Sequence, residues 1–183
     1  MDHKIIKREK FYQGRAFGLE RIQLILPDGR PSHYDLITHV GSVTIVPLDN
    51  EGNLYFVHQF RLGASGPLLE LPAGTLDEGE DPRICAGREL REEIGMGSKE
   101  LIELGDLFLA PGYSNEHMSL YLATGLFPSP LEGDKDEFLT TEIIPVSQVG
   151  VMIRKNQIKD GKTLAALMLA LPKLDKYGLI NTQ

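Results

Sequence analysis

The sequence predicts an α+β or mixed-sheet α/β domain, and three observations carry that prediction. Short apolar runs end in clusters of Pro, Asp, Asn and Gly, the pattern of strands joined by turns. Three further segments carry helix signals. Strands lie before, between and after those helices, which implies layered sheet and helix rather than an all-β fold. At 183 residues the chain can build one sizeable domain with a core, or one domain with a small appendage.

Taken in order, "GLERIQLILPDGRPSHYDLITHV" reads as two strands joined at Pro27-Asp28-Gly29. "GSVTIVPLDNEGNLYFVHQFRL" reads the same way: Val43 to Leu48, a turn at Asp49-Asn50-Glu51-Gly52, then Leu54 to Phe60. "PLLELPAG" is a strand ending at Pro72. Asp81-Pro82 opens a helix, Asp as N-cap and Pro at the first helical position, and Gly95 stops it. "LIELGDLFLA" and "HMSLYLATGL" are strands around the loop "PGYSNE", and "FLTTEIIPV" is a last strand. "VSQVGVMIRKNQI" and "KTLAALMLALPKL" complete the helices. The division expected is residues 1–40 as a small strand-rich region and 41–183 as the main domain.

Composition narrows the function classes. The chain is 42% hydrophobic and 25% charged, ordinary for a soluble globular protein. No apolar run approaches the roughly 20 residues of a membrane span. "MDHKIIKREKFYQG" has no apolar core of a signal peptide. One cysteine, Cys85, fits a reducing compartment, so a cytoplasmic protein is expected. A net charge of −7 argues against a nucleic-acid partner. An anionic small molecule is still accessible to an acidic protein if metal ions supply local positive charge.

The informative stretch is "GTLDEGEDPRICAGRELREEIGM". At 100° per residue, Ile84, Gly87, Leu90 and Ile94 fall on one broad side, expected to face the core. Glu89 and Glu93 are one turn apart, with Glu92 within about 60° of Glu89. Like charges so spaced cost about 0.2–0.5 kcal/mol per pair in an isolated helix. Arg88 and Arg91 lie off that face and should not fully relieve the repulsion. Either this is a solvated acidic face or it is a site for a hard cation, which seeks carboxylate oxygens on a rigid element.

The spacing decides. Gly74, five residues, Glu80, seven residues, then Arg88-Glu89-Leu90-Arg91-Glu92-Glu93-Ile94-Gly95-Met96 resembles the Nudix box at every specified position. With seven positions fixed at about one in fifteen each, coincidence is on the order of 10⁻⁸ per window. The resemblance implies a Nudix α/β/α sandwich with a mixed β-sheet, a small N-terminal β-rich subdomain, and hydrolysis of a nucleoside diphosphate linked to another moiety. It also implies Mg²⁺, with Mn²⁺ as an alternative. Glu89, Glu92, Glu93 and the carbonyl of Ala73 would be metal ligands, Arg88 would orient a glutamate, and Glu80 would hold Arg88. Gly74 and Gly95 would serve tight backbone geometry. Cys85 is expected to be a semi-buried structural thiol.

Other stretches resemble the ADP-ribose pyrophosphatase branch: "VHQFRLG", "LLELPAGTLDEGE", and Pro111 fifteen residues beyond Met96. By that resemblance Arg61 would bind a phosphate or the terminal ribose, a task suited to a guanidinium fork. Glu70 and Thr75 would contact the ligand. In "GDKDEF", Glu137 would act as general base or a further metal ligand, with Asp136 beside it and Glu93 as the fallback base. In "SHYDLITH", Tyr34 would stack a base, Asp35 accept from it and His39 reach a phosphate. The branch implies a homodimer that exchanges N-terminal strands. "LFPSPLEGDKDE" also resembles relatives that hydrolyse other ADP compounds. ADP-ribose is the expected substrate; GDP-mannose, NADH, diadenosine polyphosphates and other ADP compounds are the alternatives. A non-catalytic Nudix-fold sensor is disfavoured, because such sensors usually have degraded boxes and an attached DNA-binding domain.

Overall fold

The computed structural model describes residues 2–133 and 138–177. The chain divides into two compact units: Met1–Gly41 with Leu107–Met118, and Ser42–Asp106 with Ser119–Gln183. In the first, strands β1 (Lys4–Gln13), β2 (Gly18–Ile25) and β3 (Pro31–Thr38) form an antiparallel sheet in the order β1-β2-β3. Its middle strand buries alternate residues, Ile22 and Leu24, as period-2 geometry requires of a half-covered sheet. The edge strand β1 is exposed along its whole length. The segment 110–116 joins this unit by backbone: Ile37 N–H donates to the Tyr113 carbonyl at 2.8 Å, and Asn115 N–H donates to that of Ile37 at 3.1 Å.

The second unit begins with β4 (Ser42–Pro47), β5 (Asn53–Arg61), β6 (Gly66–Glu70) and β7 (Ala73–Thr75). Then come α1 (Pro82–Ile94), β8 (Met96–Gly97), β9 (Glu100–Phe108) and β10 (His117–Thr124). β11 (Phe127–Pro128), β12 (Thr140–Pro145), α2 (Val146–Arg154) and α3 (Gly161–Leu174) complete it. One sheet runs β7-β4-β10-β9 and another β12-β5-β6, with β11 and β8 as a short pair. All six residues of β4 are buried, so helices must cover both its faces. Val43 and Ile45 pack with Cys85, Ala86 and Leu90 of α1 and with Tyr121 and Ala123 of β10. Helix α3 packs against β4 as well, burying Ala166, Leu167 and Ala170. That is the α/β/α layering. Leu90, fully buried, contributes about 1.5–3 kcal/mol of hydrophobic stabilisation.

Local chemistry sets α1. The Asp81 side chain accepts from Arg83 N–H, Pro82 occupies the first turn, and Gly95 closes the helix at φ 69°, its N–H bonded to the Leu90 carbonyl. Three details differ from the sequence reading. "PLLELPAG" is two strands rather than one, because Pro72 has no N–H for a ladder; its carbonyl instead accepts from Ile45 N–H at 2.9 Å. Lys4–Gln13 is a strand the reading did not contain. Ile84, expected in the core, is 66% exposed, while Cys85, expected to be semi-buried, is fully buried. The helix is rotated so that Cys85, Ala86, Glu89, Leu90 and Glu93 form its inward side. No helix among the described residues is long and apolar enough to cross a membrane.

Candidate active site

The rotation of α1 puts two of its three box glutamates at the protein's interior: Glu89 is 7% and Glu93 8% exposed. Ionised carboxylates resist such burial unless hydrogen-bonded or paired. The Arg88 guanidinium supplies much of the compensation. Its Nη1 donates to Glu89 Oε1 at 2.7 Å and to Glu92 Oε2 at 2.8 Å. Its Nε and Nη2 donate to the two oxygens of Glu80, at 3.1 and 3.0 Å. Arg88 thus relieves the repulsion in part, leaving net negative charge, as expected of a residue whose Cα lies off the acidic side but whose long side chain folds back over it. Arg91 points elsewhere, donating through Nε to the Ser129 carbonyl at 3.1 Å.

Electrostatics follow from these contacts. Arg88 hydrogen bonds hold the Glu80 carboxyl down to about 2, and Glu80, with Glu89 and Glu92, holds the guanidinium well above its usual range. Three carboxylates on one guanidinium give the group a formal charge of −3 + 1 = −2. Burial, then the neighbouring Glu89, pushes the Cys85 thiol well up, so it is no nucleophile. Its Sγ lies 3.7 Å from the Thr75 carbonyl, which also accepts from Arg88 Nη2 at 3.3 Å.

The loop before α1 closes over these acids. Ala73 N–H donates to Glu93 Oε2 at 3.0 Å, and Ala73 and Gly74 pair with Thr44 and Val43 of β4. A Cβ on Gly74 would stand 1.9 Å from Glu89 Oε1, so the close approach of Glu89 is what position 74 must accommodate. Glu80 reaches Asp77 N–H through Oε2 at 3.0 Å, which ties the intervening turn to Arg88.

Would a divalent cation fit? Among the described residues no three His, Cys, Asp or Glu side chains stand grouped as a ready-made ligand set. The chemistry of the donors nonetheless suits a hard ion: carboxylate oxygens on successive turns of one rigid helix, with excess negative charge and a glycine cradle beside them. A cation would compete there with the Arg88 guanidinium for Glu89 and Glu92.

Arg61 and Glu70 meet across the β5–β6 pair. Arg61 Nε donates to Glu70 Oε1 at 2.9 Å and Nη2 to Oε2 at 2.7 Å, a bidentate fork. Glu70 is 1% exposed, whereas the Arg61 side chain is half-buried. The Glu70 hydrogen bonds hold the guanidinium above its ordinary range, and the charge of Glu93 adds to this, which puts Arg61 within electrostatic reach of α1. Residues that the sequence reading did not single out complete the network. Lys162 Nζ pairs with Glu70 Oε2, and lies 3.0 Å from Asp160 Oδ2. Asp160 caps α3 by accepting from Thr163 N–H at 2.9 Å, and Thr163 Oγ1 accepts from Leu71 N–H at 2.9 Å. The available signal is "DGKT", an N-cap Asp three residues before a Thr, which puts the start of α3 ahead of Lys162.

The remaining expected residues belong to the N-terminal unit or lie outside the described residues. Tyr34 is exposed on β3 opposite Ile22, and Asp35 pairs with Arg21 at 3.0 Å. His39 Nδ1 accepts from Gly41 N–H at 3.1 Å, and His39 N–H donates to Asn115 Oδ1 at 2.7 Å. That acceptor role leaves Nε2 as the ring's proton donor. Pro111 opens the turn in which Ser114 N–H bonds back to the Ala110 carbonyl at 2.9 Å. Asp136 and Glu137 lie outside the described residues.

Comparison with known proteins agrees with this geometry. The NUDIX domain model matches residues 38–167. The chain is 35% identical to the ADP-ribose pyrophosphatase of Mycobacterium tuberculosis, over 91% of this chain and 82% of that one. It is 33% identical to the methanol dehydrogenase activator of Bacillus methanolicus, over 91% of each. A crystal structure of an ADP compounds hydrolase superposes with a TM-score of 0.86 at 27% identity, covering 98% of each chain. Intact box, α/β/α layers and matching relatives together identify the chain as a member of the NUDIX domain family and a Nudix pyrophosphohydrolase.

Proposed function

We propose that the protein hydrolyses the diphosphate of a nucleoside diphosphate sugar with the help of Mg²⁺, and that its substrate is ADP-ribose, which water splits into AMP and ribose 5-phosphate. The observation that carries the reading is the acidic side of α1: Glu89 beside Gly74, Glu93 bonded to Ala73 N–H, and Glu92 at its edge, with Arg88 holding Glu89 and Glu92 and Glu80 holding Arg88. Bound there, a divalent ion would neutralise non-bridging diphosphate oxygens and lower the pKa of a water.

This chain's residues supply the rest. Glu89, Glu92, Glu93 and the Ala73 carbonyl would hold the ion, while Arg88 keeps Glu89 and Glu92 oriented. Arg61 takes an anionic oxygen of the ligand, with Glu70 fixing its fork and Thr75 at the edge. Tyr34 offers an aromatic face to the base, Asp35 an acceptor and His39 an Nε2 donor. Glu137 takes the proton from the attacking water, or Glu93 does so in its place. The protein acts as a homodimer.

The name of one relative, ADP-ribose pyrophosphatase, supports ADP-ribose. The likeness to an ADP compounds hydrolase, together with "PSPLEGDKDE", favours a second reading in which other ADP compounds are cleaved at the same diphosphate. The test is purified protein with Mg²⁺ against ADP-ribose, ADP-glucose, GDP-mannose, NADH and diadenosine triphosphate, with products separated by chromatography. A preference for ADP-ribose with AMP as product is expected. A preference for another ADP compound selects the second reading, and no turnover of any substrate overturns both.

A further inference from the structure

Lysine is almost never buried without a partner, yet Lys162, at the first turn of α3, is only 9% exposed and lies against Glu70. Glu70 is also the carboxylate that holds both donors of the Arg61 fork. Without a second cation, Arg61 and Glu70 would form a neutral pair, and Arg61 would present little charge to an anion. With Lys162 the three side chains carry +1 − 1 + 1 = +1. Asp160, 3.0 Å from Lys162, brings the four side chains to +1 − 1 + 1 − 1 = 0, and its charge also reaches Arg61; without Lys162 the remaining three would carry −1 and draw the guanidinium's charge inward. The same helix terminus fixes the backbone next door, since Leu71 N–H donates to Thr163 Oγ1, and two residues on, Ala73 N–H donates to Glu93. The segment from Glu70 to Ala73 is thus clamped between the start of α3 and the acidic side of α1.

We propose that Lys162 is a positioning residue: by sharing Glu70 it leaves the Arg61 guanidinium both aimed and electrically available for an anionic oxygen of the ligand. The proposal rests on the reading of Arg61 as a ligand residue, and it makes α3, which carries no box residue, part of the binding machinery. A merely structural lysine would contribute to stability alone. A lysine that supplies charge through Arg61 affects ligand binding, and does so only while Arg61 is present.

The experiment compares wild type, Lys162→Met, Lys162→Arg, Arg61→Ala and Arg61→Ala/Lys162→Met. KM and kcat are measured with Mg²⁺ and ADP-ribose, or with the substrate that the panel above selects. The Kd for the same compound is measured by calorimetry in EDTA, and the melting temperature reports folding. Lys162→Met should raise KM and Kd about tenfold, lower kcat less than threefold, and weaken the dependence of KM on salt. Lys162→Arg should recover most of the loss, and in the Arg61→Ala background Lys162→Met should add less than twofold. Equal effects of Lys162→Met in both backgrounds would overturn the proposal while leaving Arg61 in the site. An unchanged KM in Arg61→Ala would remove Arg61 from the site and overturn both. Should Lys162→Met fail to fold, Lys162→Gln takes its place: native folding with KM raised about tenfold supports the charge role, and native folding with native KM overturns it.

Discussion

Replacing Gly74 by alanine tests the geometry of the acidic site without removing any charge from it. The added Cβ would stand 1.9 Å from Glu89 Oε1, 2.0 Å from Cδ and 2.6 Å from Cγ. Carbon atoms pack best at about 3.5–4.0 Å, so the carboxylate cannot remain where it is. The helix backbone is held by buried Cys85, Ala86 and Leu90, and therefore the Glu89 side chain must turn away. Turning breaks the 2.7 Å bond from Arg88 Nη1, a charge-assisted contact worth about 1.5–3 kcal/mol. An off-rotamer side chain adds about 0.5–1.5 kcal/mol. Since Arg88 keeps Glu80 and Glu92, a net destabilisation of about 2 kcal/mol is expected. Turnover should fall at least about a hundredfold, the scale of losing one charge-stabilising group. Urea unfolding and Mg²⁺-dependent hydrolysis of ADP-ribose provide the two readouts. Gly87→Ala is the control, because its nearest neighbour across the gap, Leu101 Cδ1, is 3.9 Å away; it should stabilise the helix by about 0.5–1 kcal/mol. If Gly74→Ala unfolds and turns over like wild type, the close approach of Glu89 is not a constraint and the reasoning fails.

Three other outcomes are expected. Glu93→Gln should leave the fold intact and lower kcat at least about a hundredfold, so near-normal turnover would remove Glu93 from the reaction. Glu80, held at about 2 by Arg88 against an ordinary 4.5, contributes stability that is fully present above about 4.5 and lost as the pH falls through about 2. Acid unfolding of Glu80→Gln should accordingly be flatter over that window, and superimposable curves would refute the pairing. Glu137→Gln should lower kcat more than it raises KM if the residue acts on the water; a change in KM alone would make it a binding group instead.

Much of the second unit was legible because its signals are local. Asp81, Pro82 and Gly95 mark the ends of α1 within one residue, since capping chemistry is written in adjacent positions. The family was legible for the same reason: its box is a run of fixed spacing. The inward side of α1 was not. A helical wheel assumes that apolar residues turn inward, and here two glutamates take that place while Ile84 faces out. β1 escaped because "KIIKREKFYQ" lacks a clean period of two, as expected of an edge strand that buries nothing. The reach of Arg88 over Glu89 and Glu92 is not on a wheel either, because a wheel places Cα atoms, whereas a guanidinium acts several ångströms away. Lys162 had no readable signal for its role, because its partner Glu70 is 92 residues distant and only the packing of α3 brings them together.

Whether the acidic side of α1 is a cation site is tested most directly by Mn²⁺ binding followed by electron paramagnetic resonance, in wild type and in Glu89→Gln, Glu92→Gln and Glu93→Gln. The account predicts saturable binding by wild type and affinity at least about tenfold weaker in each variant, since each removes an oxygen donor of full charge. Equal Mn²⁺ affinity in all four proteins would contradict it.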